Sequence, residues 1–385
     1  KVIDRSGTSA EKVEGLKHIW GRTDLIPLWV ADMDFATAPF VTDAIRKRCE
    51  NEVLGYTGKP DSYYNAIINW VKQRYDLIVT KEVINFVPGI VPGIGMAMNC
   101  FTQKGDKVMI QPPVYHPFAW VTTRNERTLV INPLKWENGM YRMDLDAFRE
   151  QIKGCKLFIL CNPHNPGGVV WTEAELRAIA DICYDEKVLV FSDEIHADLT
   201  LPPHTHRPFA TVSEKARMNS VTFMSPSKAF NMPGLSASHA LIFNEDLRKR
   251  FRIYMDAGEL DMGHVFAFLS VEAAYSHGTE WLDQCLAYIQ GNIDFVDEFL
   301  KKHAPKIKAI RPEASYLVWL DCRELELSQK DLNEFFVDKA HLALNDGEMF
   351  GKEGIGFMRL NVASPRCIIE KAMKQLADAY QLYIK

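Results

Sequence analysis

The sequence predicts an α/β protein, with a large domain on a mostly parallel seven-stranded sheet and a smaller α+β domain after it. Short runs rich in β-forming residues recur at residues 83–87, 107–111, 128–131, 156–161, 188–192, 220–224 and 239–243. Several of these runs are almost wholly apolar, which is typical of strands covered on both faces. Helix-length segments separate them, so the pattern indicates a doubly wound sheet. Such sheets bind ligands at the carboxyl ends of their strands.

Helical patterns fill the segments between the strands and dominate the chain after Phe243. Residues 172–186 predict a helix with Thr172 as its N-cap and two acidic residues in its first turn. The later segments predict helices at 245–257, 264–276, 280–302 and 329–339, strands at 316–321 and 357–361, and a last helix from Pro365. We therefore expect an amino-terminal arm (1–40) that packs with the small domain, a large domain (41–277) and a small domain (278–385).

Composition and charge exclude several classes of function. The net charge of −5, with scattered basic residues, argues against binding nucleic acid. No apolar run approaches the ~18 residues that span a bilayer.

The first residues form no signal peptide, and a start without Met indicates processing. The eight cysteines include no Cys-x-x-Cys pair and are expected to be reduced thiols of a cytoplasmic protein. No complete metal-ligand set is found, so no metal is expected.

Lys228 is the most informative residue, because it follows two small hydroxyl residues, Ser225 and Ser227, at the end of an apolar strand. A lysine held at the rim of a sheet can form a Schiff base with an aldehyde cofactor and can later act as a base. Alone it could equally be a solvated surface charge.

Polar residues also end two other predicted strands. Asp193 closes the strand at 188–192, and a carboxylate there requires a cation or several hydrogen bonds. A protonated pyridine nitrogen is a suitable partner, although a helix cap or loop ion pair is an alternative. His196 could bond the phenolic oxygen of such a cofactor or be a core histidine. Asn165 lies in the rigid loop 162–168, which is either a turn or a donor to the same oxygen.

Three further positions could complete a ligand site. The segment 88–95 precedes a predicted helix, so a phosphate could bind the free N–H groups of Ile90 and Val91. Tyr115 follows the strand at 107–111, where its ring could stack on a flat cofactor or simply pack at the rim. Arg359 alternates with apolar residues on a short strand, which favours bidentate carboxylate binding over solvation; a structural ion pair is the alternative.

Together these motifs resemble the fold-type I, pyridoxal-phosphate-dependent aminotransferase class I/II superfamily. The order of aromatic loop, Asn-Pro-x-Asn-Pro-x-Gly, Ser-Asp-Glu, Ser-x-Ser-Lys and Arg spans nearly the whole chain. The resemblance implies pyridoxal 5′-phosphate as cofactor and an amino acid as substrate. It implies these roles: Lys228 as Schiff-base lysine, Asp193 on the pyridinium, Asn165 and His196 on the ring oxygen, Tyr115 stacked on the ring, and Arg359 on the substrate carboxylate.

Finer features resemble the cystathionine β-lyase/cystalysin type of C–S lyase, the MalY/PatB family, in the stretches 27–35, 55–57, 60–64, 111–115, 161–166 and 192–196. That branch implies a homodimer in which Tyr56 reaches the neighbouring subunit's site near the phosphate. It also places Ala31, Asn165 and Tyr115 at the substrate. Aminotransferases commonly carry a phosphate-binding arginine where this chain has Ser236, so Ser225, Ser227, backbone donors and Tyr56 should bind the phosphate.

The reaction that this resemblance implies is α,β-elimination of an L-cysteine S-conjugate. L-Cystathionine would give homocysteine, pyruvate and ammonia, and L-cysteine would give hydrogen sulfide. One alternative is an aminotransferase, because the same lysine could return the proton to the cofactor instead. Another is a regulatory protein that keeps the cofactor and a secondary lyase activity while its main role is to bind a partner.

Overall fold

The computed structural model of the chain describes residues 1–383. Its α-helices, in chain order, are α1 (Glu11–Trp20), α2 (Pro39–Cys49), α3 (Asp61–Tyr75), α4 (Ile90–Phe101), α5 (Pro117–Arg124), α6 (Leu145–Gln151), α7 (Glu173–Asp185), α8 (Glu214–Met218), α9 (Glu245–Asp256), α10 (Val265–His277), α11 (Thr279–His303), α12 (Gln329–Glu334) and α13 (Arg366–Tyr383). A π-helical turn, Phe335–Lys339, follows α12 directly.

The strands, in chain order, are β1 (Ile26–Pro27), β2 (Ile84–Val87), β3 (Lys107–Ile110), β4 (Thr128–Ile131), β5 (Lys135–Glu137), β6 (Met140–Arg142), β7 (Cys155–Cys161), β8 (Leu189–Asp193), β9 (Ser220–Met224), β10 (Ser238–Leu241), β11 (Lys308–Ile310), β12 (Leu317–Asp321), β13 (Leu342–Ala343), β14 (Asn345–Asp346) and β15 (Phe357–Asn361). They form one large sheet, one smaller sheet and two short two-stranded pairings.

The large sheet has seven strands in the order β2-β10-β9-β8-β7-β3-β4. Five of them, β9-β8-β7-β3-β4, run parallel to one another, and β10 is antiparallel to both β9 and β2. These seven strands coincide with the seven predicted runs, and their ends differ by one or two residues at most. The predicted fold class is therefore confirmed.

Helices cover both faces of this sheet, which explains why its central strands are apolar. Every residue of β9 is buried. Val221 and Phe223 pack with Ile94 of α4 on one face, whereas Met224 belongs to the core formed with α3 and α10 on the other. The predicted Thr172 cap is confirmed: its hydroxyl accepts from the backbone N–H of Glu175, whose side chain accepts from the Thr172 backbone.

The smaller sheet has four antiparallel strands in the order β11-β12-β15-β14. The apolar patterns predicted β12 and β15, but β11 and β14 are three and two residues long and were not predicted. The rings of Trp319 and Phe357 stack at 5.2 Å between neighbouring strands of this sheet. Its central strand β15 carries Arg359.

The amino-terminal arm runs along the smaller sheet. Its short strand β1 pairs in parallel with β13. The side-chain amide of Asn361 then donates to the carbonyl oxygens of Val30 (2.6 Å) and Asp32 (2.7 Å). The domain limits 40/41 and 277/278 stay a prediction. Among the helices between residues 1 and 383, none combines the length and the apolar character that crossing a bilayer requires.

Candidate active site

Four adjacent parallel strands bring the candidate site residues to one edge of the large sheet. Lys228 follows β9, Asp193 ends β8, Asn165 follows β7 and Tyr115 follows β3. Because these strands are neighbours in the sheet and run the same way, their carboxyl ends meet. All four side chains line a single cavity, together with Ala31 of the amino-terminal arm.

One end of this cavity suits a phosphate group. The strand β2 leads into the amino terminus of α4, where the first N–H groups, of Ile90 and Val91, have no partner within the helix. Ser238 lies opposite Val87 in the antiparallel pair β10–β2, so it lies beside the same helix start. Ser227 and Ser236 also line the cavity. Free N–H groups, hydroxyls and the positive end of the helix dipole are the donors that a phosphate requires.

Asp193 lines the cavity and forms no ion pair with a cation in the described structure. Its carboxylate is buried and accepts a hydrogen bond from the Ile195 backbone N–H at 3.0 Å. Burial raises the pKa of this carboxyl group to about 7, because the charged form loses its hydration. A protonated pyridine nitrogen would supply the missing positive charge, so the residue fits the ring of pyridoxal phosphate.

His196 also lines the cavity and is uncharged. Burial lowers the pKa of its imidazole to about 3, with Lys228 and Arg359 disfavouring a further positive charge. Its Nδ1 atom is buried and has no hydrogen-bond partner among residues 1–383. A buried ring nitrogen without a partner fits a polar group of a ligand, such as the phenolic oxygen of the cofactor.

Arg359 is buried and faces no carboxylate in the described structure. Its Nη1 donates to Oδ1 of Asn165 at 3.1 Å, and its Nη2 donates to Oδ1 of Asn345 at 2.6 Å and to the Trp29 carbonyl at 3.2 Å. Its Nε has no partner there. Burial lowers the pKa of the guanidinium to about 10. A buried guanidinium held only by neutral groups can bind the carboxylate of an amino acid.

The amine of Lys228 is poised between these groups. Its Nζ donates to the carbonyl oxygen of Ala31 at 2.6 Å. Burial, and after it the positive charge of Arg359, lower the pKa of this amine to about 8, although Asp32 and Asp193 oppose the shift. A lysine with a pKa near 8 has a substantial fraction of neutral amine, which is the form that attacks an aldehyde and accepts a proton.

Three predicted site residues are not among those that line the cavity: Arg359, which contacts the cavity-lining Asn165, Ser225 and Tyr56. The hydroxyl of Ser225 donates to the Ala237 carbonyl at 2.7 Å and accepts from the Ser227 N–H at 3.1 Å, so it supports the loop. Tyr56 is 99% exposed and borders a separate surface cavity with Leu54 and Met262. Its predicted role concerns a second subunit and stays a prediction.

Several residues of the site were not predicted from the sequence. Trp29 and Asn345 hold Arg359, and the hydroxyl of Tyr316 donates to the Ala31 carbonyl at 3.0 Å. Cys161 and Ser238 also line the cavity. Cys161 ends a predicted strand and Ser238 directly precedes another, so their positions at strand ends could have indicated them. The other three depend on contacts between distant segments.

Three comparisons with known proteins agree with a site that acts on amino acids. The model of the family described as aminotransferase class I and II matches residues 23–376. The chain is 37% identical over 381 residues to cystathionine beta-lyase PatB of Bacillus subtilis (strain 168), and the match covers 98% of each sequence.

Two solved structures have the same fold over almost their full length. Cystalysin from Treponema denticola, which contains a pyridoxal 5′-phosphate cofactor, is 33% identical with a TM-score of 0.96, and the match covers 100% of this chain and 98% of that one. The pyridoxal-phosphate-bound C–S lyase from Staphylococcus hominis is 34% identical with a TM-score of 0.90, covering 98% and 97%.

Proposed function

The chain belongs to the aminotransferase class I and II family, and we propose that it cleaves the carbon–sulfur bond of L-cysteine S-conjugates. It is an enzyme whose cofactor is pyridoxal 5′-phosphate. The substrate that we propose is L-cystathionine, which with water gives homocysteine, pyruvate and ammonia. By the same chemistry, L-cysteine would give hydrogen sulfide.

The main support for a lyase activity is the similarity of the chain to proteins that are named for this reaction. It extends over 98% of the chain for the Bacillus subtilis cystathionine beta-lyase and over the whole chain for cystalysin. The geometry of the site supports the same class of substrate. Arg359, buried without an ion pair, can bind an α-carboxylate, and it contacts Asn165, which lines the same cavity as the amine of Lys228.

Each site residue has a definite part in this reaction. When bound, pyridoxal phosphate supplies an aldehyde that links to amines and a ring that accepts the electrons of a breaking Cα–H bond. Arg359 binds and orients the substrate carboxylate. Lys228, once free, takes the Cα proton at Nζ, since its pKa of about 8 leaves neutral amine at neutral pH. Asp193, as an anion, stabilises the protonated ring nitrogen. The β-sulfur then leaves as the thiolate.

We propose that the active unit is a homodimer with shared sites. Tyr56 is almost fully exposed on an extended segment, and the neighbouring apolar side chains Val53 and Leu54 are exposed as well, at 72% and 58%. A second copy of the chain would cover this surface and bring Tyr56 towards the phosphate end of the partner's cavity. Large, permanent interfaces of this kind bury apolar surface.

The test is to incubate the purified protein with L-cystathionine and added pyridoxal phosphate, but without any 2-oxoacid. Equal amounts of pyruvate and homocysteine are expected. The aminotransferase alternative, the activity for which the family is named, predicts instead that consumption of the amino acid depends on an added 2-oxoacid and yields no thiol. Turnover that requires a 2-oxoacid would therefore overturn the lyase proposal.

A further inference from the structure

A fully buried lysine lies on α1, outside the cavity described above. The side chain of Lys12 has 0% exposure. Its Nζ donates to Oδ2 of Asp34 at 2.9 Å and to the Asp32 carbonyl at 3.3 Å, and it lies 3.5 Å from Oδ1 of Asp32. Lysine is among the residues least often buried, because removing an ammonium from water costs several kcal/mol unless it is well paired. The burial of Lys12 therefore calls for an explanation.

Lys12 belongs to a compact group of charges that fixes the amino-terminal arm. Arg5 binds Asp32 through both Nη atoms, at 3.1 and 2.7 Å, and reaches Asp34 at 3.4 Å. These four residues, two cations and two carboxylates, form what we call the arm cluster. It holds residues 32–34 through the side chains of Asp32 and Asp34 and the Asp32 carbonyl.

The residues just before Asp32 contact the two cations of the active site. The Trp29 carbonyl accepts from Nη2 of Arg359 at 3.2 Å, and the Ala31 carbonyl accepts from Nζ of Lys228 at 2.6 Å. Residues 29–34 thus lie between the arm cluster and the groups that bind the substrate carboxylate and move its proton. Because the Ala31 carbonyl and the Cα atom of Asp32 belong to the same planar peptide unit, a shift of that Cα atom moves the oxygen of Ala31 as well.

The contact between Lys228 and Ala31 has a place in the reaction. Lys228 would take the Cα proton as a free amine. A free amine on a flexible four-carbon stem loses rotamer freedom when it is held in one place, so a fixed acceptor is needed to keep it near the substrate carbon. The Ala31 carbonyl is such an acceptor, and Tyr316 steadies it with a second hydrogen bond.

We propose that Lys12 is a positioning residue for proton transfer. Through Asp32 and Asp34 it fixes residues 29–34, so that the Ala31 carbonyl holds the free amine of Lys228 and the Trp29 carbonyl orients Arg359. The inference rests on the proposed function only in that Lys228 moves the Cα proton, a step that the lyase and the aminotransferase share.

The test measures proton transfer without carbon–sulfur cleavage. Holoenzyme is incubated in D₂O with L-alanine, which has no leaving group on its β-carbon, and loss of the Cα proton is followed by NMR. Lys12→Met should slow this exchange by about tenfold or more, and Lys12→Arg, which keeps the positive charge, should restore it to within about threefold of wild type. Lys249→Met, which removes a cation from an exposed pair with Glu245, should exchange like wild type.

Bound pyridoxal phosphate and the melting temperature are measured on every variant, because a role limited to stability would lower them without changing the exchange rate per loaded site. Equal rates per loaded site in wild type and Lys12→Met would overturn the inference. If Lys12→Met does not fold, Asp34→Asn, which removes a partner charge at nearly constant volume, is judged by the same criterion. A wild type that exchanges no proton would overturn the proposed function, and this inference with it.

Discussion

Oδ1 of Asn165 accepts a hydrogen bond from Nη1 of Arg359 across 3.1 Å. Asn165 follows a strand of the large sheet, and Arg359 lies on the central strand of the smaller one. This bond occupies the acceptor end of the Asn165 amide, so its NH₂ group remains available as a donor. Asn165, which is expected to bind the cofactor, and Arg359, which is expected to bind the substrate, therefore orient each other.

Removing Arg359 should chiefly impair capture of the amino acid. Losing one partner of a buried, charge-assisted pair typically costs about 2–5 kcal/mol. Arg359→Ala should therefore lower kcat/KM for L-cystathionine by the factor that corresponds to this free energy. Arg359→Lys serves as the matched control, since it keeps the charge but loses the bidentate geometry, and it should recover part of the loss. A normal KM in Arg359→Ala would show that the guanidinium does not bind the substrate.

Asp193 should matter more for chemistry than for retention of the cofactor. Asp193→Ala leaves the donors at the amino terminus of α4 and the stacking position of Tyr115 in place, so most of the cofactor should stay bound. The protonated ring nitrogen loses its anion, and kcat should fall by about 100-fold or more. Near-normal turnover with retained cofactor would show that Asp193 does not face the ring nitrogen.

Capture of pyridoxal phosphate by the cofactor-free protein should depend on the protonation of Lys228. Only the neutral amine attacks an aldehyde, so below the pKa of about 8 the association rate should rise about tenfold per pH unit and level off above it. Arg359→Met removes a positive charge that lowers this pKa, and the midpoint should move to higher pH. A midpoint that stays in place would contradict the electrostatic coupling of the two residues.

Subunit exchange tests the shared site. Lys228→Ala and Tyr56→Ala proteins, each inactive alone, should regain activity when mixed, because a mixed dimer holds one site with both residues intact. Random exchange of equal amounts makes about half of the dimers mixed, so about a quarter of all sites should be active. The severe defect of Tyr56→Ala alone must be established first. Absence of recovery after proven exchange would place Tyr56 in its own subunit's site or outside any site.

The sequence allowed the large sheet and its polar strand ends to be predicted because both depend on local patterns. Apolar runs marked the strands, and Lys228, Asp193 and Asn165 stood out because each follows or ends such a run. The neighbours of Arg359 could not be found in this way, since Trp29 and Asn345 approach it only through the packing of the arm on the smaller sheet.

The burial of Lys12 and the side-chain conformation of Ser225 also could not be predicted from the sequence. Lysine is usually exposed, so nothing in the local sequence singles out Lys12, whose burial depends on two carboxylates at least 20 residues away. The side chain of Ser225 turns towards Ala237 because β10 brings that carbonyl within reach. Such choices are decided by tertiary contacts and not by the spacing of residues.

The most direct test of the central claim, that Lys228 carries the cofactor and acts on the substrate, is reduction of the holoenzyme with borohydride. Reduction fixes the cofactor to its lysine, and mass spectrometry of the digested protein locates it. The adduct is expected on the peptide that contains Lys228, and it should be absent from Lys228→Ala, whose turnover should fall by several orders of magnitude. An adduct on another lysine of the wild-type protein would contradict the account.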